Sequence, residues 1–90
     1  MFKTLEELIA IIRQRKDFFD EKSYTKKLLE NKKLSIEKVR EEIAELIDAI
    51  EKNSNKVHES ADVLYHLMVL LEANGIKIED VMDELKKRQK

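Results

Sequence analysis

The chain has 90 residues, 18 Lys and Arg against 19 Asp and Glu, a formal net charge of -1, and no cysteine. That balance argues against a generic nucleic-acid binder or a polybasic membrane anchor. The lack of cysteine excludes disulfides, thiolate zinc sites and cysteine nucleophiles, and fits a reducing cytoplasm.

The length suits one small domain, 1–90, whose modest core a second copy would extend. The opening Met1-Phe2-Lys3-Thr4-Leu5-Glu6-Glu7 puts acids where a secretory leader needs its apolar run. The longest apolar stretch, Val63 to Leu71, is broken by His66 and falls short of the roughly 20 residues that cross a bilayer. With no proline and one glycine, and apolar residues at helical spacing throughout, the pattern predicts an all-α bundle of about four helices.

The first helix is expected from Thr4 to Phe19, with Thr4 and Glu7 spaced as a capping box and Leu5, Leu8, Ile9 and Ile12 on one face. Phe18 and Phe19 are expected to close that layer. In the polar stretch Asp20 to Lys33, Tyr24, Leu28 and Leu29 point to a turn of helix. Ser35 is the expected N-cap of the second helix, whose Ile36, Val39, Ile43, Leu46, Ile47 and Ile50 draw a stripe up to the loop Asn53-Ser54-Asn55. The third runs from Lys56 to Asn74, closed by Gly75 in the left-handed conformation, and the fourth from Glu79 to Lys87. The third helix is apolar nearly all round, so it is expected to be central, with a homodimer or larger homo-oligomer supplying the missing cover.

Two acidic signatures stand out. Glu42 with Glu45, and Glu59 with Asp62, each place two carboxylates three residues apart on one helix face. Antiparallel packing of the two helices across the short loop would bring all four together. At about 4 Å two like charges repel by roughly 4 kcal/mol at a near-surface dielectric, so such a cluster calls for cations. The blander reading is that about four such pairs arise by chance in a chain this acidic, most of them solvated faces. His66 reads more readily as a hydrogen-bonded structural histidine than as a ligand, and Tyr65 and Met68 as packing. On periodicity alone, a nonenzymatic bundle is the better description.

The order of fragments changes that balance. Ser23-Tyr24-Thr25 followed by Leu28-Leu29, then Lys38-Val39-Arg40-Glu41-Glu42-Ile43-Ala44-Glu45, then Glu59-Ser60-Ala61-Asp62-Val63-Leu64-Tyr65-His66, resembles phosphoribosyl-ATP pyrophosphohydrolase over nearly the whole chain. Gly75-Ile76, Val81, Leu85 and Arg88 fit the family's ending. Arg40 stands where the family commonly has glycine, and another usual glycine is missing from Glu30-Asn31-Lys32-Lys33. Neither departure removes an acid.

The resemblance implies a nucleotide-binding, magnesium-dependent hydrolase of the all-α pyrophosphohydrolase fold, acting in the cytoplasm on phosphoribosyl-ATP in the second step of histidine synthesis. Glu42, Glu45, Glu59 and Asp62 are the metal ligands it implies, since Mg2+ takes oxygen donors from carboxylates, water and phosphates. Glu41, Glu42 and Glu45 are the candidates for accepting a proton from the attacking water. Lys38 would either stabilise phosphate or form a salt bridge to Glu42, and Ser23, Tyr24 and Thr25 would contact substrate or order the loop over it, with Arg88 a further candidate. With only His58 and His66 besides the acids, the chain lacks the ligands of a zinc cyclohydrolase, so the next pathway step is expected on a separate protein. A relative acting on dUTP or dCTP, and a helical interaction module without turnover, are the alternatives. The four acids argue against the latter.

Overall fold

All elements described by the computed structural model, which covers residues 1–17 and 22–89, are helical: α1 (Lys3–Asp17), α2 (Tyr24–Glu30), α3 (Lys32–Lys52), α4 (Lys56–Ala73) and α5 (Ile78–Arg88). The all-α expectation holds, and where about four helices were expected the described residues form five. The addition is α2, where only a turn was expected. Its seven residues are stabilised by packing: Leu28 and Leu29 are buried, and the Ser23 hydroxyl accepts from the Lys26 N–H at 3.2 Å.

Asn31 then serves two helices. Its N–H donates back to the Lys27 carbonyl at 3.1 Å, closing α2, while its Oδ1 accepts from the Leu34 N–H at 3.1 Å, opening α3. Asparagine caps as well as serine does, so α3 starts at Lys32 and the expected N-cap, Ser35, lies buried inside the helix. The Thr4 capping box also fails, because α1 already begins at Lys3 with the Glu6 N–H bonded to the Phe2 carbonyl. Phe18 and Phe19 lie outside the described residues.

The expected loop is present. Asn53 and Asn55 both adopt positive φ, 54° and 53°, which asparagine tolerates better than most residues. α4 ends as glycine demands: Gly75 sits at φ 69°, its N–H bonded to the Glu72 carbonyl at 3.2 Å and the Ile76 N–H to the Leu71 carbonyl at 2.9 Å. A Cβ at Gly75 would meet nothing within 4 Å, so only backbone strain opposes one. Gly75→Ala is therefore expected to lower stability by about 1–2 kcal/mol, with Gly75→Asn costing less, as read by thermal unfolding.

α4 is central and touches every other helix. Ile12, Leu28, Leu29, Met68 and Val69 form the core, with Leu5, Leu8 and Tyr65 packed around them. Each such side chain contributes about 1.5–3 kcal/mol when buried. Arg13 ties α1 to α4 and α5, donating to Glu79 at 2.6 and 3.0 Å and to Glu72 at 3.4 Å. The guanidinium holds the Glu79 carboxyl down to about 2, although exposure keeps the bridge's contribution small.

α3 departs from the single stripe read in its sequence. Ser35, Val39, Glu42 and Ala49 are its buried residues, with Leu46 half-buried on the same line. Ile36, Ile43, Ile47 and Ile50 form a second, exposed line. An acid thus occupies the seam against α4, while four isoleucines look outward.

Candidate active site

The three-residue link between α3 and α4 and their extensive packing set the middle of one helix against the start of the other. Glu42 comes from α3 and is only 8% exposed; its Oε2 is buried with no hydrogen-bond partner among the described residues. Glu59, in the first turn of α4, has an Oε2 in the same condition. Carboxylate oxygens without donors are unusual in folded proteins and mark a place where a cation's positive charge would be accommodated.

Around these two the acids gather. Oxygens of Glu41, Glu42 and Glu45 lie within 4.8 Å of one another, as do ligand atoms of His58, Glu59 and Asp62. The two groups sense each other across the helix interface. Burial is the main force raising the Glu42 carboxyl above its ordinary value; Glu45 and Asp62 add to it, and His66 opposes. Burial likewise raises Glu59, reinforced by Glu45 and Asp62. Glu42, Glu45, Glu59 and Asp62 are thereby brought into one electrostatic unit. Its donors are hard oxygens, the set that suits magnesium, and His58 Nε2 stands 3.4 Å from Asp62 Oδ2 at the exposed edge. Sequence reasoning gave His58 no place here, although its position one turn before Asp62 was the available signal.

The remaining candidates divide. Lys38 pairs with Glu41 at 3.4 Å rather than with Glu42, because Glu42 is turned into the buried seam while Glu41 stays exposed. The Tyr24 hydroxyl meets His66 Nε2 at 3.0 Å, and the Thr25 hydroxyl bonds the Tyr65 hydroxyl. Burial raises the Tyr24 phenol's pKa, with the Lys38 ammonium opposing and Glu42 and Glu41 adding to it, so Tyr24 lies within electrostatic reach of all three. Ser23 is occupied as the α2 cap. Arg88 is not brought to the cluster within the protomer: α5 packs on α4 without reaching α3, and Arg88 pairs with Glu84 at 3.4 Å. Arg40 is exposed.

Comparison with known proteins adds a family context. The family profile described as phosphoribosyl-ATP pyrophosphohydrolase matches residues 5–89. The phosphoribosyl-ATP pyrophosphatase of Metallosphaera sedula is 43% identical over 93 residues, covering 100% of both chains. That of Haloarcula marismortui is 41% identical over 90 residues, 94% of this chain and 92% of its own. The histidine biosynthesis bifunctional protein of Pyrococcus furiosus is 45% identical over 87 residues, 96% of this chain but 41% of that protein. The chain thus spans less than half of that longer relative and nearly all of the two pyrophosphatases.

Proposed function

The chain belongs to the phosphoribosyl-ATP pyrophosphohydrolase family, and from that premise we propose that it hydrolyses phosphoribosyl-ATP to phosphoribosyl-AMP and pyrophosphate, as its relatives' names describe. The observation that carries the reading is the pair of buried, donorless carboxylate oxygens, Glu42 Oε2 and Glu59 Oε2, on facing helices. Glu42, Glu45, Glu59 and Asp62 would hold magnesium. When bound, it neutralises triphosphate charge and lowers the pKa of water.

The chain's own residues supply the rest. One of Glu41, Glu42 and Glu45 accepts the proton of the water that attacks between the α- and β-phosphates. Lys38, with its ammonium paired to exposed Glu41 and to no other acid among the described residues, can turn toward phosphate at small cost. Tyr24 and Thr25 meet the nucleotide at the cluster's edge. We place the step in the cytoplasm and in a homodimer that covers the outward isoleucines of α3.

The test is pyrophosphate release from phosphoribosyl-ATP with and without magnesium, with dUTP, dCTP and ATP as comparison substrates. Magnesium-dependent turnover of phosphoribosyl-ATP alone is expected. Preference for another triphosphate would overturn the substrate, and silence on all four would overturn the enzyme.

A further inference from the structure

His66 is buried, 7% exposed, and both ring nitrogens are engaged: Nδ1 lies 2.8 Å from the Asp62 carbonyl oxygen and Nε2 3.0 Å from the Tyr24 hydroxyl. A carbonyl oxygen only accepts, so Nδ1 donates to it, and in the neutral ring, with no second proton, Nε2 accepts from the phenol. The Tyr24 hydroxyl has then committed its single proton inward, leaving it an acceptor toward anything outside.

That outer side is open, for Tyr24 is 44% exposed. The ring is nonetheless braced: Tyr65 stacks on it at 6.4 Å and 18°, His66 meets it edge-on at 5.8 Å, and Thr25 bonds the Tyr65 hydroxyl. Docking of α2 does not require this arrangement, since Leu28 and Leu29 already bury that helix's apolar face. A phenylalanine over an apolar partner would fill the same space without a buried polar group to satisfy. An acceptor beside the acid cluster repels phosphate oxygens, which are acceptors themselves. Hydrogen-bond donors occur on the sugar and base.

We propose that His66 is a positioning residue which holds the Tyr24 hydroxyl as a hydrogen-bond acceptor for a ribose O–H or base N–H of the bound nucleotide. The pair then sets affinity for the nucleoside half and leaves phosphate cleavage to the acids. This inference rests on the pyrophosphohydrolase reading.

The experiment compares wild type, Tyr24→Phe, His66→Gln and the double variant, measuring KM and kcat for phosphoribosyl-ATP and inhibition constants for phosphoribosyl-AMP and for pyrophosphate. Tyr24→Phe is expected to raise KM and the phosphoribosyl-AMP constant by about tenfold, the value of one hydrogen bond. Its kcat and its pyrophosphate constant should stay within about twofold, a split that purely structural damage would not produce. His66→Gln should do the same and the double variant no worse, because both remove one contact. Unchanged KM in Tyr24→Phe, a fall in kcat instead, or equal weakening of both products would overturn the proposal. Should His66→Gln lose helicity, Tyr24→Phe alone decides. A wild-type protein that releases no pyrophosphate overturns the enzyme reading first, and this inference with it.

Discussion

Glu42→Gln is expected to reduce pyrophosphate release at least a hundredfold while raising the melting temperature of the metal-free protein. The two effects share a cause. Glu42 is buried on the α3 seam with one oxygen lacking any donor and with Glu45 and Asp62 adding negative charge. Its folded-state pKa is raised, so folding favours the protonated form. Below the unfolded pKa both states are protonated and the group contributes nothing. As pH rises through the unfolded value toward the raised folded one, the unfolded chain releases a proton that the folded chain retains, and stability falls. Above the folded value the loss is complete. In EDTA, the wild-type midpoint should therefore drop as pH climbs out of the ordinary carboxylate range, and Glu42→Gln should drop less. For a chain this size about 1 kcal/mol corresponds to roughly 4–8 °C, so the gain is readable by circular dichroism at neutral pH. Magnesium should reverse the ranking by stabilising wild type and leaving the variant little changed. Losing a ligand should cost at least the roughly 10–100-fold typical of losing a residue that merely supports one. Asp62→Asn should match the loss of activity. Full turnover in both variants would sink the metal assignment, and a lower metal-free midpoint in Glu42→Gln would sink the desolvation argument.

How much of this was legible in the sequence depended on whether the cause was local. The absence of proline, the Asn53-Ser54-Asn55 break and the left-handed position at Gly75 are properties of a few adjacent residues, and they fixed the helical class, the α3–α4 connection and the end of α4. The i, i+3 spacing of the acids was equally visible, and the short loop implied that they would meet. What stayed hidden depended on tertiary partners. The seven-residue α2 has no periodicity long enough to read and owes its existence to buried Leu28 and Leu29 and to a shared cap at Asn31. The faces of α3 merge in the sequence because Val39 and Leu46 lie close in angle to Ile50 and Ile43. Only packing against α4 separates the line that contains Glu42 from the line that does not. His66 was read as structural, and its two hydrogen bonds bear that out. The partner that makes it interesting, Tyr24, is 42 residues away.

That outward line of α3 yields the second large effect: Ile47→Asp is expected to convert a homodimer into monomers. Ile47 is 52% exposed and Ile50 57%, with Ile43 one turn earlier on the same line and Leu64 exposed on α4. A lone protomer leaves these branched side chains in water, although a chain of this size has little apolar surface to spare for stability. In a two-fold dimer the same patch meets itself, so one substitution removes two isoleucines from the interface. With about half of each side chain left to bury, each contributes roughly 0.8–1.5 kcal/mol, so the pair is worth roughly 1.5–3 kcal/mol, or one to two orders of magnitude in the dissociation constant, before the desolvation of two carboxylates is added. Sedimentation equilibrium of wild type and variant measures the shift directly. Exposure makes the variant's fold safe, because Ile47 belongs to none of the core contacts made by Ile12, Leu28, Leu29, Met68 and Val69. Retained helicity with a monomeric mass is therefore the expected pair of results, and a wild-type protein that is already monomeric would overturn the dimer. Loss of activity at protein concentrations where the variant is monomeric, with recovery at high concentration, would show that the acids need the second copy beside them.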